Sequence, residues 1–169
     1  MTSNVYILSG SNIGDREKIL RNALTKIETI EGIEVVAVSA IYVSDAVGME
    51  PGAPSFMNQV IKADFKYTAI ELLDSLELIE KQHGRTGKGE MLPRILDLDI
   101  LLFGDEIVET ERLSVPHREL LNRPFAMVPL LQIDPDIVHP VTGRPVAEFL
   151  SDEGRKQVLL YKDHVARNV

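Results

Sequence analysis

Residues 96–103 read Leu96-Asp97-Leu98-Asp99-Ile100-Leu101-Leu102-Phe103, an apolar run interrupted at alternate positions by two carboxylates. Side chains alternate across a strand, so Asp97 and Asp99 share one face, with Cα atoms roughly 6.5 Å apart, while Leu98 points to the other. Upstream, Thr68-Ala69-Ile70-Glu71 has the form of a capping box, and Ile70, Leu73, Leu76 and Ile79 continue it as the apolar stripe of a helix that Gly84 would cap. Before that helix, residues 56–65 and the Val- and Ile-rich residues 33–42 read as two strands. The connection between them contains Gly48, Pro51, Gly52 and Pro54, too long for a tight hairpin and a candidate functional loop. At the start, residues 5–8 form a short strand that runs into the turn formers 9–14. Ile19, Leu20, Ala23, Leu24, Ile27 and Ile30 then recur at helical spacing behind Asp15 and Glu17, which suit a helix N-terminus. The order is βαββαβ, the ferredoxin-like α+β arrangement with a mostly antiparallel sheet and both helices on one face. Beyond it, Ile107-Val108 suggests a short hairpin, 123–133 a helix despite Pro124 and Pro129, 145–150 a short helix and 157–161 a last strand. No repeat or composition break divides residues 1–169, which are expected to form a single domain.

The chain carries 18 Lys+Arg against 26 Asp+Glu, a net charge of −8 with 44% apolar residues. That composition fits a folded domain and excludes a surface that grips nucleic acid broadly, which needs a basic footprint. The absence of cysteine excludes disulfides, thiol nucleophiles and Cys-bound metals. No apolar run approaches a membrane span and the first residues lack the form of a signal peptide, so a cytoplasmic location without membrane contact is expected.

Two carboxylates side by side repel and lose hydration unless a cation joins them, and hard oxygen donors on a rigid strand suit Mg²⁺. An alternative is a strand end at which both meet solvent or arginines. Two locally positive segments flank the pair: Arg85, Lys88 and Arg94 against Glu90, and Arg112, Arg118 and Arg123 against Glu119, with His117 beside them. Such a ring of forked guanidiniums around carboxylates is what a metal–polyphosphate complex needs, although a solvated charge network would use the same residues. Phe56 and Asn58 fall on one strand face, where an aromatic plane and an amide could stack on and read a flat heterocycle; a Phe at such a position is otherwise core. The glycines at 84–89 lack the P-loop pattern and those at 10–14 the dinucleotide fingerprint. No Ser–His–Asp arrangement accompanies Ser9 and Ser11, and His83, His139 and His164 lack ligand spacing.

The stretches 6–12 with Gly14 (YILSGSNIG), 56–60 (FMNQV), 80–85 (EKQHGR), 93–104 (PRILDLDILLFG), 113–117 (LSVPH) and 122–125 (NRPF) together resemble the 6-hydroxymethyl-7,8-dihydropterin pyrophosphokinase family of folate biosynthesis, colinearly from about residue 4 to residue 150. The resemblance implies a Mg²⁺- and ATP-dependent enzyme that transfers diphosphate from ATP to the pterin hydroxymethyl group and releases AMP. It implies that Asp97 and Asp99 bind two Mg²⁺ ions and that Arg85 and Arg94 contact the transferred diphosphate. Glu80, Ile100, Arg112, Ser114, His117 and Arg123 would line the ATP site, with Arg112 and Ser114 towards the nucleoside; the two positive segments add Lys88 and Arg118 to this set. Phe56 and Phe125 would sandwich the pterin, while Asn58, Ser44 and the backbone near Val47 would bond its edge. The implied partners are these small molecules alone, and a monomer is expected.

The chain departs from the family pattern in four places, one of them Gly87, which stands where a second loop Arg is common. Residues 42–48 keep the hydroxyl of Ser44 but lack the usual Pro, and Glu90-Met91-Leu92 stands where an Arg-Trp-Gly type sequence is typical. Arg118 follows His117 where Tyr is frequent. A modified pterin substrate and a non-catalytic nucleotide- or pterin-binding module are the competing readings.

Overall fold

In a computed structural model that describes residues 1–44, 55–83, 95–162 and 167–168, the sequence patterns become β1 (Ser3–Ser11), α1 (Arg16–Glu28), β2 (Ile33–Val38), β3 (Ile41–Ser44), β4 (Phe56–Phe65), α2 (Ala69–Gln82) and β5 (Asp97–Phe103). A hairpin of β6 (Val108–Glu109) and β7 (Ser114–Val115), then α3 (Pro124–Ile133), a 3-10 turn at Val146–Phe149, α4 (Asp152–Lys156), β8 (Leu159–Lys162) and β9 (Arg167–Asn168) complete it. The central sheet runs β5-β1-β4-β2, every pairing antiparallel, with β9 beyond β2 and with β3 joining β4 to β8. This is the expected ferredoxin-like order, in which β1 pairs with both β4 and β5.

The helices start where their caps dictate. Asp15 accepts the Lys18 N–H at 3.2 Å, and Thr68 and Glu71 form the reciprocal capping box. α1 and α2 cover one sheet face around Val5, Ile7, Leu20, Ile27, Ile61, Leu72, Leu76, Leu98 and Phe103. α3 lies on the other face, packed with Tyr6, Leu8, Val60 and Leu102. The Tyr6 hydroxyl donates to Asp134 at the end of α3 at 2.5 Å, and burial raises its pKa, as do that hydrogen bond and the Asp134 charge. Gln132 Oε1 accepts the Ala40 N–H at 2.8 Å. These two bonds tie α3 to the sheet.

Several expectations are corrected. The first strand does not stop at Leu8: residues 9–11, read as turn formers, continue β1 through Ser11 in its ladder with β4. The stretch 33–42 is not one strand: Ser39 Oγ accepts the Val60 N–H and donates to Ala40 O, Gln132 takes the Ala40 N–H, and the ladder steps before β3 begins. α1 ends at Glu28, so Ile30 lies in the turn that Gly32 closes at φ 85°. Ile70 is 38% exposed, and Leu72 takes its place in the buried stripe. α2 ends with His83 as its cap, and Gly84 lies outside the described residues.

Leu98 is fully buried between the two carboxylates. Leu98→Ala is expected to cost about 3 kcal/mol, read as a lower urea midpoint at unchanged slope.

Candidate active site

β5 forms one edge of the central path, and its middle residue is fixed from both sides. The Leu98 side chain enters the core under α2, and its N–H donates at 2.8 Å to Glu80 Oε2, a carboxylate only 2% exposed. With Leu98 held inward, alternation turns Asp97 and Asp99 together onto the α3 side of the sheet, both half-buried. Register continues the pattern across the strands: Asp97 lies opposite Gly10 and Gly10 opposite Asn58, while Asp99 lies opposite Leu8.

Gly10 makes a floor. A Cβ there would sit 2.8 Å from Asn58 Oδ1 and 3.7 Å from the Phe56 ring. Only glycine lets the amide and the aromatic ring approach the strand this closely. Asn58 Nδ2 donates to Ser44 Oγ at 3.1 Å, which fixes the amide with its oxygen towards Gly10. Phe56, Asn58 and Ser44 thus gather as the sequence suggests, with Phe56 only half-buried. Phe125, at the start of α3, packs on this same side of the sheet with Arg123 5.6 Å from its ring centre.

Beside Asp99 opens a cleft of about 860 Å³, lined by Leu73, Asp99, Ile100, residues 109–114 and residues 117–119. It contains Ile100, Arg112, Ser114, His117 and Arg118 from the sequence-derived ATP set. His117 is anchored by its N–H to Leu101 O at 2.9 Å, and its Nδ1 accepts the Glu119 N–H at 3.1 Å. That bond leaves Nε2 as the donor on a neutral ring. Burial lowers the His117 pKa below the ordinary value, Arg123 adding to the effect while Asp99, Asp97 and Glu119 oppose it. These groups therefore lie within one another's fields.

The charge network foreseen as an alternative is present around the cleft. Arg112 donates to Asp74 at 2.7 Å and to Glu77 at 2.6 Å, and Arg118 to Glu109 at 3.1 Å. All these pairs meet solvent, so they contribute little stability and can be exchanged for phosphate at small cost. Sequence reading missed Gly10, Glu109, Thr110 and Leu113 as site residues. Their roles come from register and from the hairpin turn, where Thr110 Oγ1 accepts the Leu113 N–H at 3.0 Å. Arg85, Lys88, Arg94 and Val47 lie outside the described residues.

The carboxylate pair fits a divalent cation. Among the described residues no three His, Asp or Glu side chains converge on one point. Two adjacent carboxylates suit Mg²⁺, which takes its other ligands from water and phosphate.

Comparison with known proteins agrees with this geometry. Residues 6–135 match the family model described as 7,8-dihydro-6-hydroxymethylpterin-pyrophosphokinase. The chain is 40% identical over 147 residues to the 2-amino-4-hydroxy-6-hydroxymethyldihydropteridine pyrophosphokinase of Aquifex aeolicus, covering 87% of this chain and 90% of that protein. It is 42% identical over 133 residues to the Bacillus subtilis protein of the same name, covering 79% of each. The folic acid synthesis protein fol1 of Schizosaccharomyces pombe is 38% identical, and the match covers 92% of this chain but 21% of that longer protein. A crystal structure of an HPPK-DHPS in complex with substrates superposes with a TM-score of 0.70 at 13% identity, over 88% of this chain and 43% of that one. This last likeness concerns the fold.

Below about pH 6.5, the ordinary His pKa, an unfolded chain protonates histidines that the fold keeps neutral; burial lowers the pKa of His117 and His139 alike. The folded state then binds fewer protons than the unfolded one, so stability falls as the pH is lowered. In urea unfolding at pH 7.5 and 5.5, the wild type is expected to lose more stability than a His117→Gln/His139→Gln variant.

Proposed function

The chain belongs to the 7,8-dihydro-6-hydroxymethylpterin-pyrophosphokinase family and transfers diphosphate from ATP to 6-hydroxymethyl-7,8-dihydropterin in folate biosynthesis, and we propose that the row Asp97–Gly10–Asn58 is the axis on which its two substrates meet. The carrying observation is this cross-strand row: neighbouring strands lie about 4.8 Å apart, so a flat bicyclic ring resting on Gly10 spans from the amide of Asn58 to the carboxylate of Asp97.

In this reading Phe56 and Phe125 flank the pterin. Asn58 and Ser44, with the backbone at Val47, bond its edge. The hydroxymethyl group then points towards Asp97 and Asp99. The triphosphate runs from the cleft past His117, whose Nε2–H donates to it, to Arg123, Arg94, Arg85 and Lys88. Arg112, Ser114 and Ile100 face the nucleoside, with Arg118 at the rim and Glu80 bracing β5. Asp97 and Asp99 would hold two Mg²⁺ ions, which when bound neutralise phosphate charge.

The hydroxymethyl oxygen attacks the β-phosphorus as its proton passes to solvent, and the bond from the β-phosphorus to the oxygen bridging to the α-phosphorus breaks, so AMP leaves with that oxygen. The residues act by alignment and by charge already in position, so no covalent nucleophile is needed. Residues 1–169 work as one catalytic domain, monomeric and cytoplasmic. Among the described residues no helix is long and apolar enough to cross a membrane.

AMP formation from ATP is expected only with Mg²⁺ and hydroxymethyl-dihydropterin together, and Asp97→Ala is expected to lower kcat about a hundredfold or more. AMP at the wild-type rate from Asp97→Ala would contradict the reading. Gly10→Ala pushes a methyl against Asn58 Oδ1. It is expected to raise KM for the pterin about tenfold while leaving KM for ATP unchanged, as measured by varying each substrate in turn.

A further inference from the structure

Glu109 ends β6 directly opposite Ser114 of β7, and both line the cleft. One Glu109 carboxylate oxygen accepts the Ser114 hydroxyl at 2.6 Å, and the other accepts from Arg118 Nη2 at 3.1 Å. An ionised carboxylate has no proton to give. The hydrogen bonds from Ser114 and then Arg118 hold Glu109 below the usual carboxylate range, so it stays ionised at neutral pH. The Ser114 proton is therefore the shared one. Among the described residues, a second oxygen near Ser114 Oγ is the Pro116 carbonyl at 3.4 Å, which also only accepts. Both neighbours take the hydroxyl proton, so Ser114 meets a third group with its lone pairs.

The cleft walls beside Ser114 include Leu73, Ile100 and Leu113, an apolar lining suited to the faces of a purine. The two common purines differ in what they offer at position 6. Adenine carries an amino donor, whereas a 6-oxopurine carries an acceptor that would meet the serine lone pair to lone pair. A site committed to one sense of hydrogen bond rejects the opposite one more strongly than a site free to turn.

Resting on the reading of this cleft as the nucleotide pocket, we propose that Glu109 is a specificity-positioning residue: it fixes Ser114 as an acceptor and thereby selects a 6-aminopurine over a 6-oxopurine nucleoside triphosphate. Glu109 acts through Ser114 and touches no substrate.

The test compares kcat/KM for ATP and inosine triphosphate, which differ at the 6-substituent and the adjoining ring proton and share their phosphates. Any change in general electrostatics therefore cancels in the ratio. Wild type is expected to favour ATP by tenfold or more. Glu109→Gln, whose amide can also donate, and Glu109→Ala are each expected to lower the ratio about tenfold, through KM for the nucleotide, with KM for the pterin unchanged. Ser114→Ala is expected to lower the ratio by itself and to make a further Glu109→Gln change silent. An unchanged ratio in both Glu109 variants overturns the inference, as does an equal drop in the Ser114→Ala background or a wild type that does not distinguish the nucleotides. If wild type forms AMP from ATP and any of these occurs, the inference alone falls; if wild type forms no AMP from ATP, the nucleotide reading of the cleft falls with it.

Discussion

The placement of Leu98 governs the site. Its side chain is wholly buried under α2 and its N–H is taken by the buried Glu80 carboxylate, so the middle of β5 has no freedom to rotate or slip. A slip of one residue would turn both aspartates into the apolar core and Leu98 outwards, at a cost no surface interaction could offset. Two carboxylates are thereby held close to each other on a strand, an arrangement that is unfavourable alone and useful once a cation joins them. Core packing thus holds in place the carboxylate pair on which the proposed metal site rests.

The rest of the site follows from what that face of the sheet can reach. Gly10 clears the strand between Asp97 and Asn58, and the β6–β7 hairpin brings Ser114 and Glu109 to the cleft beside Asp99. A net charge of −8 is compatible with binding a polyanion because Arg112 and Arg118 line the cleft beside Asp99, setting positive charge locally where it is needed. In the free protein Arg112 and Arg118 are occupied by Asp74, Glu77 and Glu109 in pairs open to water. A phosphate group competes well for such guanidiniums, since two of its oxygens accept bidentately as a carboxylate does and it carries more charge.

Much of this was readable from the chain. The alternation of residues 96–103 and the Thr68–Glu71 box carry their structural meaning in local sequence, as does the pairing of Phe56 with Asn58 on one face. The order of elements gave the ferredoxin-like sheet. What escaped depends on partners distant in sequence. The break after β2 needs Ser39 to bond Val60 and Gln132 to reach Ala40. The role of Gly10 depends on which side chains the neighbouring strand sets against it, and the pairing of Glu109 with Ser114 depends on hairpin register. Periodicity placed Ile70 in the buried stripe, whereas in the fold Leu72 is fully buried and Ile70 is exposed.

The most direct measurement is the affinity for α,β-methylene ATP, a non-transferring analogue, titrated with and without Mg²⁺ against wild type and against Asp97→Asn and Asp99→Asn. If the strand carboxylates exist to hold a metal-bound polyphosphate, wild type binds tightly only with Mg²⁺, and either substitution removes that dependence together with most of the affinity. Tight binding without Mg²⁺, or Mg²⁺-dependent binding that survives both substitutions, would contradict the account.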